Sequence, residues 1–287
     1  MGIEQLTAQV MRHMATQRAH YTSPVPGMGL FQRREPTEFT ADFYEPFVCL
    51  ILQGRKETIF DDISMEVAAG QSLLVSHDVP VRARIREASS EFPYLSVVLR
   101  LDIPLLRSLY DEVGAAALDE LEGRSCAVHE ADPRLIDCLE RTLALADDPL
   151  EARILLPQVR RELHFRLLMA PHGGMLRALL HHDSHASHIA RAISRIRRDF
   201  RQAITVPELA REVGMSESSF HKHFRDITSS TPLQYQKELR LIEARRLLTA
   251  GAQNVTSVAY DVGYSSPNQF SREYSRKFGV PPSTHLA

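Results

Sequence analysis

The chain has 287 residues, 44% of them hydrophobic, and a formal net charge of −2 at pH 7, so it can hold two domains with ordinary cores while its total charge points to no partner. Three scattered cysteines, Cys49, Cys126 and Cys138, show no CxxC or ligand spacing, which argues against a disulfide framework and for a reduced, cytoplasmic protein. No run of about 18 apolar residues occurs, and the start of the chain is amphipathic rather than a signal peptide, so no membrane partner is expected.

Residues 3–19 place Ile3, Leu6, Val10, Met11 and Met14 at helical spacing, and YTSPVPG ends that lead helix. From Leu30 to about Leu101 the text changes to short runs rich in Val, Ile and Leu, among them FVCLILQG, RKETIF, QSLLVS and YLSVVLRL, separated by Gly, Asp and Pro turns. Such runs without intervening helices predict a small antiparallel barrel or sandwich, its interior either filled or holding a ligand. Cys49 reads as a core thiol; redox or electrophile sensing is the alternative, with no basic neighbour in sequence to lower its pKa. Gln53, Gly54, Arg55 and Lys56 read as a tight hairpin with a solvated charge pair. Arg82, Arg84 and Arg86 alternate as a solvent-facing stripe, the alternative being a face that attracts an anionic effector.

Helical spacing resumes at Ile103 and runs, with breaks, to about His182, through IPLLRSLYDEV, ALDELEG, PRLIDCLERTLALA and DPLEARILLPQVRRELHFRLLMA. These helices are expected to form a dimerisation surface, or else to cap the barrel within one monomer. In the following HHDSHASH, His181, His185 and His188 would share one helix face, a zinc-like arrangement. The preferred reading is a solvated, pH-sensitive linker with no metal.

The last third carries one pattern twice: ITVPELAREVGMSESSFHKHFRDITSSTP from Ile204 and NVTSVAYDVGYSSPNQFSREYSRKFGVPP from Asn254. Ala210, Val213, Gly214 and Ser216 align with Ala259, Val262, Gly263 and Ser265. Each copy reads as a short helix, a turn opened by Gly, a capping Ser and a second helix with aromatics four apart, which is a helix-turn-helix. Charge agrees: residues 184–287 hold 15 basic against 9 acidic residues, net +6, and the remainder holds 19 against 27, net −8. A basic module on an acidic partner domain suits a polyanion.

Residues 186–285 resemble the DNA-binding domain of the AraC/XylS family of bacterial transcription regulators. The match rests on ELRLIEARRLLTAG, with Arg240, Ala244, Arg245, Leu247 and Leu248, and on VAYDVGYSSPNQFSREYSRKFGVPP. The front half is similar to the N-terminal domain of one AraC subgroup through YEPFVCLILQGRKETIF, LLVSHDVPV and FPYLSVVLRLD. The resemblance implies an α+β protein. Residues 1–183 would form a cupin-like antiparallel β-barrel that senses a small-molecule effector, with a helical dimerisation segment from about residue 103; residues 184–287 would form an all-α domain with helix-turn-helix motifs at about 207–228 and 256–278. Ser229 replaces the usual Gly that closes the first recognition helix, which is therefore predicted to end less sharply. The last residues, Ser283 to Ala287, lack the terminal Tyr and Arg of many members.

On the first recognition helix Phe220 and Phe224 face the core, leaving Ser218, His221, Lys222 and Arg225 outward. The resemblance puts Ser218, His221 and Lys222 at base-facing positions, and Arg225 is expected on phosphate. Lysine donates to guanine O6/N7, whereas Ser and His read bases weakly. On the second helix Asn268, Gln269 and Arg272 point outward with adenine- and guanine-pairing chemistry, and Ser266, Arg276 and Lys277 are expected on phosphate. One more residue separates Gly263 from Phe270 than Gly214 from Phe220, so the two helices are predicted to present their outward residues differently, the second supplying more base readout. A connecting helix from about Leu233 to Thr249, roughly 25 Å long, would set the two about one DNA turn apart on a bipartite site.

The resulting reading is a sequence-specific regulator of double-stranded DNA, expected to be an effector-responsive activator, a homodimer and a partner of RNA polymerase, with no cofactor. The residues themselves do not separate activation from repression. A cupin-type metal enzyme fused to a helical module is the alternative; it needs a His/His/Glu cluster, and the strand region offers His77 alone. A ligand-free architectural DNA-binding protein would leave the front half without a purpose.

Overall fold

The computed structural model describes residues 2–15, 20–60, 62–114, 124–251 and 254–286. They form an N-terminal antiparallel β domain with helices, then a helical domain. The lead helix α1 (Ile3–Ala15) buries Leu6, Val10 and Met14, one turn apart along one face. The expected continuation through 16–19 lies outside the described residues.

Strands β1 (Tyr21–Thr22), β2 (Met28–Arg33), β3 (Thr40–Tyr44), β4 (Phe47–Gln53), β5 (Arg55–Phe60), β6 (Ile63–Ala68), β7 (Gln71–Val75), β8 (Val79–Glu87), β9 (Tyr94–Arg100) and β10 (Cys126–Glu130) make two sheets. Their orders are β1-β2-β9-β4-β7-β10 and β3-β8-β5-β6. Strand β4 is apolar from Phe47 to Leu52 because it is central: Val48, Cys49, Leu50 and Ile51 are fully buried, so neither face has to meet water. Antiparallel pairing sets Cys49 opposite Val98 and Ile51 opposite Ser96 on β9.

Two features depart from expectation. The Gly54 turn does not close a hairpin, because β4 and β5 belong to different sheets and the chain crosses between them. Lys56 is half-buried rather than fully solvated: its ammonium lies 4.8 Å from the centre of the Tyr44 ring. The arginine stripe faces solvent as expected, with Arg82 and Arg86 exposed and Arg84 half-buried. Arg84 pairs with Glu57 at 2.7 Å and Arg86 with Glu66, so cross-strand carboxylates neutralise these two, and Arg55 pairs with Glu87 at 2.9 Å.

The helical segment contains α2 (Ile103–Val113), α3 (Pro133–Ala144), α4 (Pro149–Met169) and α5 (Gly174–Leu180). Asp102, Asp132 and Asp148 each accept a backbone N–H at a helix start, with Pro in the first turn of all three helices, which makes these boundaries legible in the sequence. The ALDELEG helix lies outside the described residues. Strand β10 interrupts the segment, against expectation; it pairs with β7, Cys126 opposite Val75, extending the larger sheet by one edge. Five residues alternating towards a sheet edge carry too little periodicity to be told from a loop.

The chain divides into two compact units. One is Met1–Phe39, Tyr44–His77 and Ala83–Ser184; the other is Thr40–Phe43, Asp78–Arg82 and His185–Ala287. No helix among the described residues is long and apolar enough to cross a membrane.

Candidate nucleic-acid interface

Among the described residues the second unit's α-helices are α6 (His185–Asp199), α7 (Val206–Glu212), α8 (Glu217–Thr228), α9 (Pro232–Thr249), α10 (Val255–Asp261) and α11 (Pro267–Phe278), followed by a 3-10 turn at Pro282–His285. Helices α7 and α8 form one helix-turn-helix, α10 and α11 the other. The sequence explains each boundary, since Thr205, Ser216, Thr231, Asn254 and Ser266 all cap a helix start by accepting a backbone N–H three residues on.

Ser266, not Ser265, caps α11. The expected difference in presentation therefore disappears. Both recognition helices have 12 residues, and the first buried aromatic stands four residues after the cap in each, Phe220 after Ser216 and Phe270 after Ser266. The extra residue of the second copy is absorbed in the turn before the helix. Ser218 therefore corresponds to Asn268 and Lys222 to Arg272 in helical phase. The two helices also end alike. Ser229 adopts a left-handed φ of +56° and its N–H donates to the Arg225 carbonyl at 2.8 Å, just as Gly279, at +75°, donates to Ser275 at 2.8 Å. The serine closes its helix as sharply as the glycine, at a steric cost that glycine avoids.

Phe220, Phe224, Phe270 and Tyr274 are fully buried. Opposite them, Ser218, His221, Lys222 and Arg225 on α8 and Asn268, Gln269, Arg272 and Arg276 on α11 are exposed. Two of the residues expected on phosphate already have partners within the chain. Ser266 Oγ is already engaged as the cap, and Lys277 is ion-paired with Glu238 on α9 at 3.1 Å. Gln269 Nε2 donates to Glu273 at 3.3 Å. Glu273 also meets Lys237 at 2.8 Å and the Tyr264 hydroxyl at 2.8 Å. Burial works against its carboxylate, but these donors outweigh it and hold its pKa below the usual range.

The second motif sits on a core of Leu241, Ala244, Leu248, Val258, Ala259, Val262, Tyr264, Phe270 and Tyr274. Arg240 of α9 fastens its turn: Nε donates to the Phe200 carbonyl at 2.6 Å, Nη1 to Gly263 at 2.9 Å and Nη2 to Gln202 at 2.9 Å. The sequence gives this arginine no role, because its acceptors are backbone carbonyls that carry no side-chain signal.

The three histidines do not share a helix. His181 follows the end of α5, His185 opens α6, and His188 lies within α6. His185 stacks instead on His223 of α8, with ring centres 3.8 Å apart, and burial followed by that neighbour pushes His223 below its ordinary value. His77 is buried and bonded to Ser76 Oγ at 2.9 Å.

Comparison with known proteins agrees with this geometry. The family described as AraC-type transcriptional regulator N-terminus matches residues 24–175, and a helix-turn-helix domain family matches 209–287. The HTH-type transcriptional activator RhaS of Yersinia pestis (strain Pestoides F) is 28% identical over 100 residues, 35% of this chain and 37% of that protein. The virulence regulon transcriptional activator VirF of Yersinia enterocolitica is 31% identical over 85 residues, 30% of this chain and 31% of its own length. The matches thus span about a third of each relative. Among solved structures, a ligand-free point variant of ToxT from Vibrio cholerae strain SCE256 superposes with a TM-score of 0.62 at 13% identity, over 92% of this chain and 98% of that one. Wild-type ToxT with a bound unsaturated fatty acid gives the same TM-score over 90% of this chain and 94% of that one, also at 13% identity.

Proposed function

The chain belongs to the AraC-type transcriptional regulators, and from that premise we propose that it is a sequence-specific, effector-responsive activator of transcription. The observation that carries this reading is the pair of recognition helices held in the same phase, each with aromatics buried on one side and Ser218, His221, Lys222 and Arg225, or Asn268, Gln269 and Arg272, exposed on the other. Helix α9, 18 residues and so about 27 Å long, joins them and suits two successive major-groove segments.

In this reading α11 reads bases through Asn268, Gln269 and Arg272, while Arg225 and Arg276 meet phosphate. Lys277 joins them only by exchanging Glu238 for a phosphate. The front unit receives a small molecule, as the fatty-acid-bound ToxT supports for this fold, and RNA polymerase is the partner an activator requires. A second copy packs on α4. That helix buries Val159, Leu163 and Leu167 within the chain yet exposes Leu150, Ile154, Leu155, Phe165 and Met169, an apolar face suited to its own symmetry mate. No catalytic role is assigned.

The test is Arg272→Ala in a binding assay that compares the specific site with random DNA. We expect a loss of about 1 to 3 kcal/mol on the specific site with relaxed base preference. An equal loss on both DNAs would reassign Arg272 to phosphate.

A further inference from the structure

One exposed side chain of α11 is held in place by its own helix. Gln269 Nε2 donates to Glu273 Oε1 at 3.3 Å, one turn further on. Glu273 is in turn held from behind. The Lys237 ammonium of α9 meets its Oε1 at 2.8 Å, and the hydroxyl of Tyr264, in the turn before α11, donates to its Oε2 at 2.8 Å. The Glu273 side chain is only 14% exposed, so the carboxylate lies at the foot of the exposed face with both oxygens engaged. Burial works against its charge, but Lys237, Tyr264 and Gln269 together outweigh it, and the group is ionised at neutral pH.

An ionised carboxylate offers acceptors alone. Of the two ends of the Gln269 amide, only the nitrogen can therefore turn to Glu273, and half a turn of the amide would set its oxygen against the carboxylate. Glu273 takes one N–H, and the oxygen and the second N–H remain. An acceptor beside a donor complements adenine in the major groove, where N6 donates and N7 accepts. Guanine presents two acceptors there, O6 and N7, which call for an NH2 group turned outward. The first recognition helix lacks this device. In the same helical phase α8 carries Ser219 in place of Gln269 and His223 in place of Glu273, and His223 stacks on His185.

We propose that Glu273 is a positioning residue for base readout: it locks the Gln269 amide with its oxygen outward, so that α11 takes adenine and rejects guanine at the base pair Gln269 meets. This rests on the reading of α11 as a recognition helix, and it adds the base selected and the residue that fixes the choice. Lys237 and Tyr264 act one step further back, tying Glu273 to α9 and to the turn, so the amide is oriented before DNA arrives. Orientation in advance lowers the ordering cost of binding.

The full-length chain is used to select duplexes from a randomised DNA library, for the wild type, Gln269→Ala and Glu273→Gln, with melting temperatures recorded. The position whose preference is lost in Gln269→Ala is the pair this side chain reads. There the wild type should favour adenine over guanine by about tenfold or more, as one bidentate pair gives. Glu273→Gln keeps the shape but can donate as well as accept, so the Gln269 amide is free to turn, and the preference should fall to about twofold or less while the other positions keep theirs. A merely structural role for Glu273 would weaken every position together. In a fixed duplex, replacing that adenine by purine, which lacks the N6 amino group, or by 7-deazaadenine, which lacks the N7 acceptor, should each weaken wild-type binding about fivefold. These wild-type measurements test the outward oxygen even if Glu273→Gln folds poorly. A wild-type preference for guanine at that pair, an unchanged adenine preference in folded Glu273→Gln, or full affinity for both modified bases would each overturn the proposal. A selected sequence whose every position survives Gln269→Ala sinks this proposal alone; no selected sequence in the wild type sinks the recognition-helix reading with it.

Discussion

Arg240 Nη1 donates to the Gly263 carbonyl at 2.9 Å, tying the long helix α9 to the turn that aims the second recognition helix. The same guanidinium holds Phe200 and Gln202, so one side chain joins the chain just after α6, the linking helix and the second turn. Arg240→Ala leaves the Gly263 carbonyl without this donor and the Phe200 and Gln202 carbonyls with Gln236 Nε2 alone, and should cost about 1 to 3 kcal/mol in urea unfolding. Arg240→Lys, with a point charge instead of a planar fork, should recover less than half. Wild-type stability in Arg240→Ala would show the bonds to be dispensable.

The two turn glycines are predicted to differ. Gly263 has φ +90°, and a Cβ there would lie 2.2 Å from the Arg201 carbonyl oxygen, whereas Gly214, at +73°, has open space where its Cβ would stand. Gly214→Ala should therefore cost only the backbone term, about 1 to 2 kcal/mol, and Gly263→Ala about 3 kcal/mol or more because backbone must move. Equal denaturation midpoints for the two variants would contradict the close approach at Gly263.

Ser229 offers a stabilising change. Its left-handed backbone and its buried, unpartnered hydroxyl both disfavour serine. Ser229→Gly should gain about 0.5 to 1 kcal/mol, the relief being reduced by glycine's greater freedom when unfolded. A rise in the urea midpoint at constant slope is the expected reading; a fall would mean the hydroxyl has a partner in solution.

His172 makes stability depend on pH. Burial, then the ring of His129 stacked 4.1 Å away, push it down to about 4. The unfolded chain, with an ordinary value near 6.5, takes up the proton first. The contribution is thus complete above about pH 6.5 and is lost as pH falls towards 4. His164, His223 and His285 are displaced in the same direction, so the informative quantity is a difference. Between pH 7 and pH 5, His172→Gln should lose less stability than the wild type, and parallel losses would remove His172 as a cause.

Much of the DNA-facing half is legible in the sequence because its signals are local. Caps at Thr205, Ser216, Thr231 and Asn254, aromatics four residues apart and a glycine at each turn are properties of a few adjacent residues, and helix phase then assigns Lys222 and Arg272 outward without any knowledge of the core. Where two adjacent serines compete, alignment to the first copy favours Ser265; only the placement of the extra residue within the turn decides for Ser266. Pairing partners far apart in sequence are beyond local reading. Lys56 reads as solvated because hairpin and crossover share the same four residues, and the outcome depends on which sheet β5 joins. Arg84 and Arg86 read as a solvent-facing stripe with no partner named, because Glu57 and Glu66 meet them only across strands. The sequence by itself determined most of the helices and strands, β10 excepted, and which side of each recognition helix is polar, since those follow from periods of two and of 3.6 residues along one chain. Only the tertiary structure decided which charges are neutralised, as Arg84 is by Glu57, because neutralisation falls off with distance in space and is blind to distance along the chain.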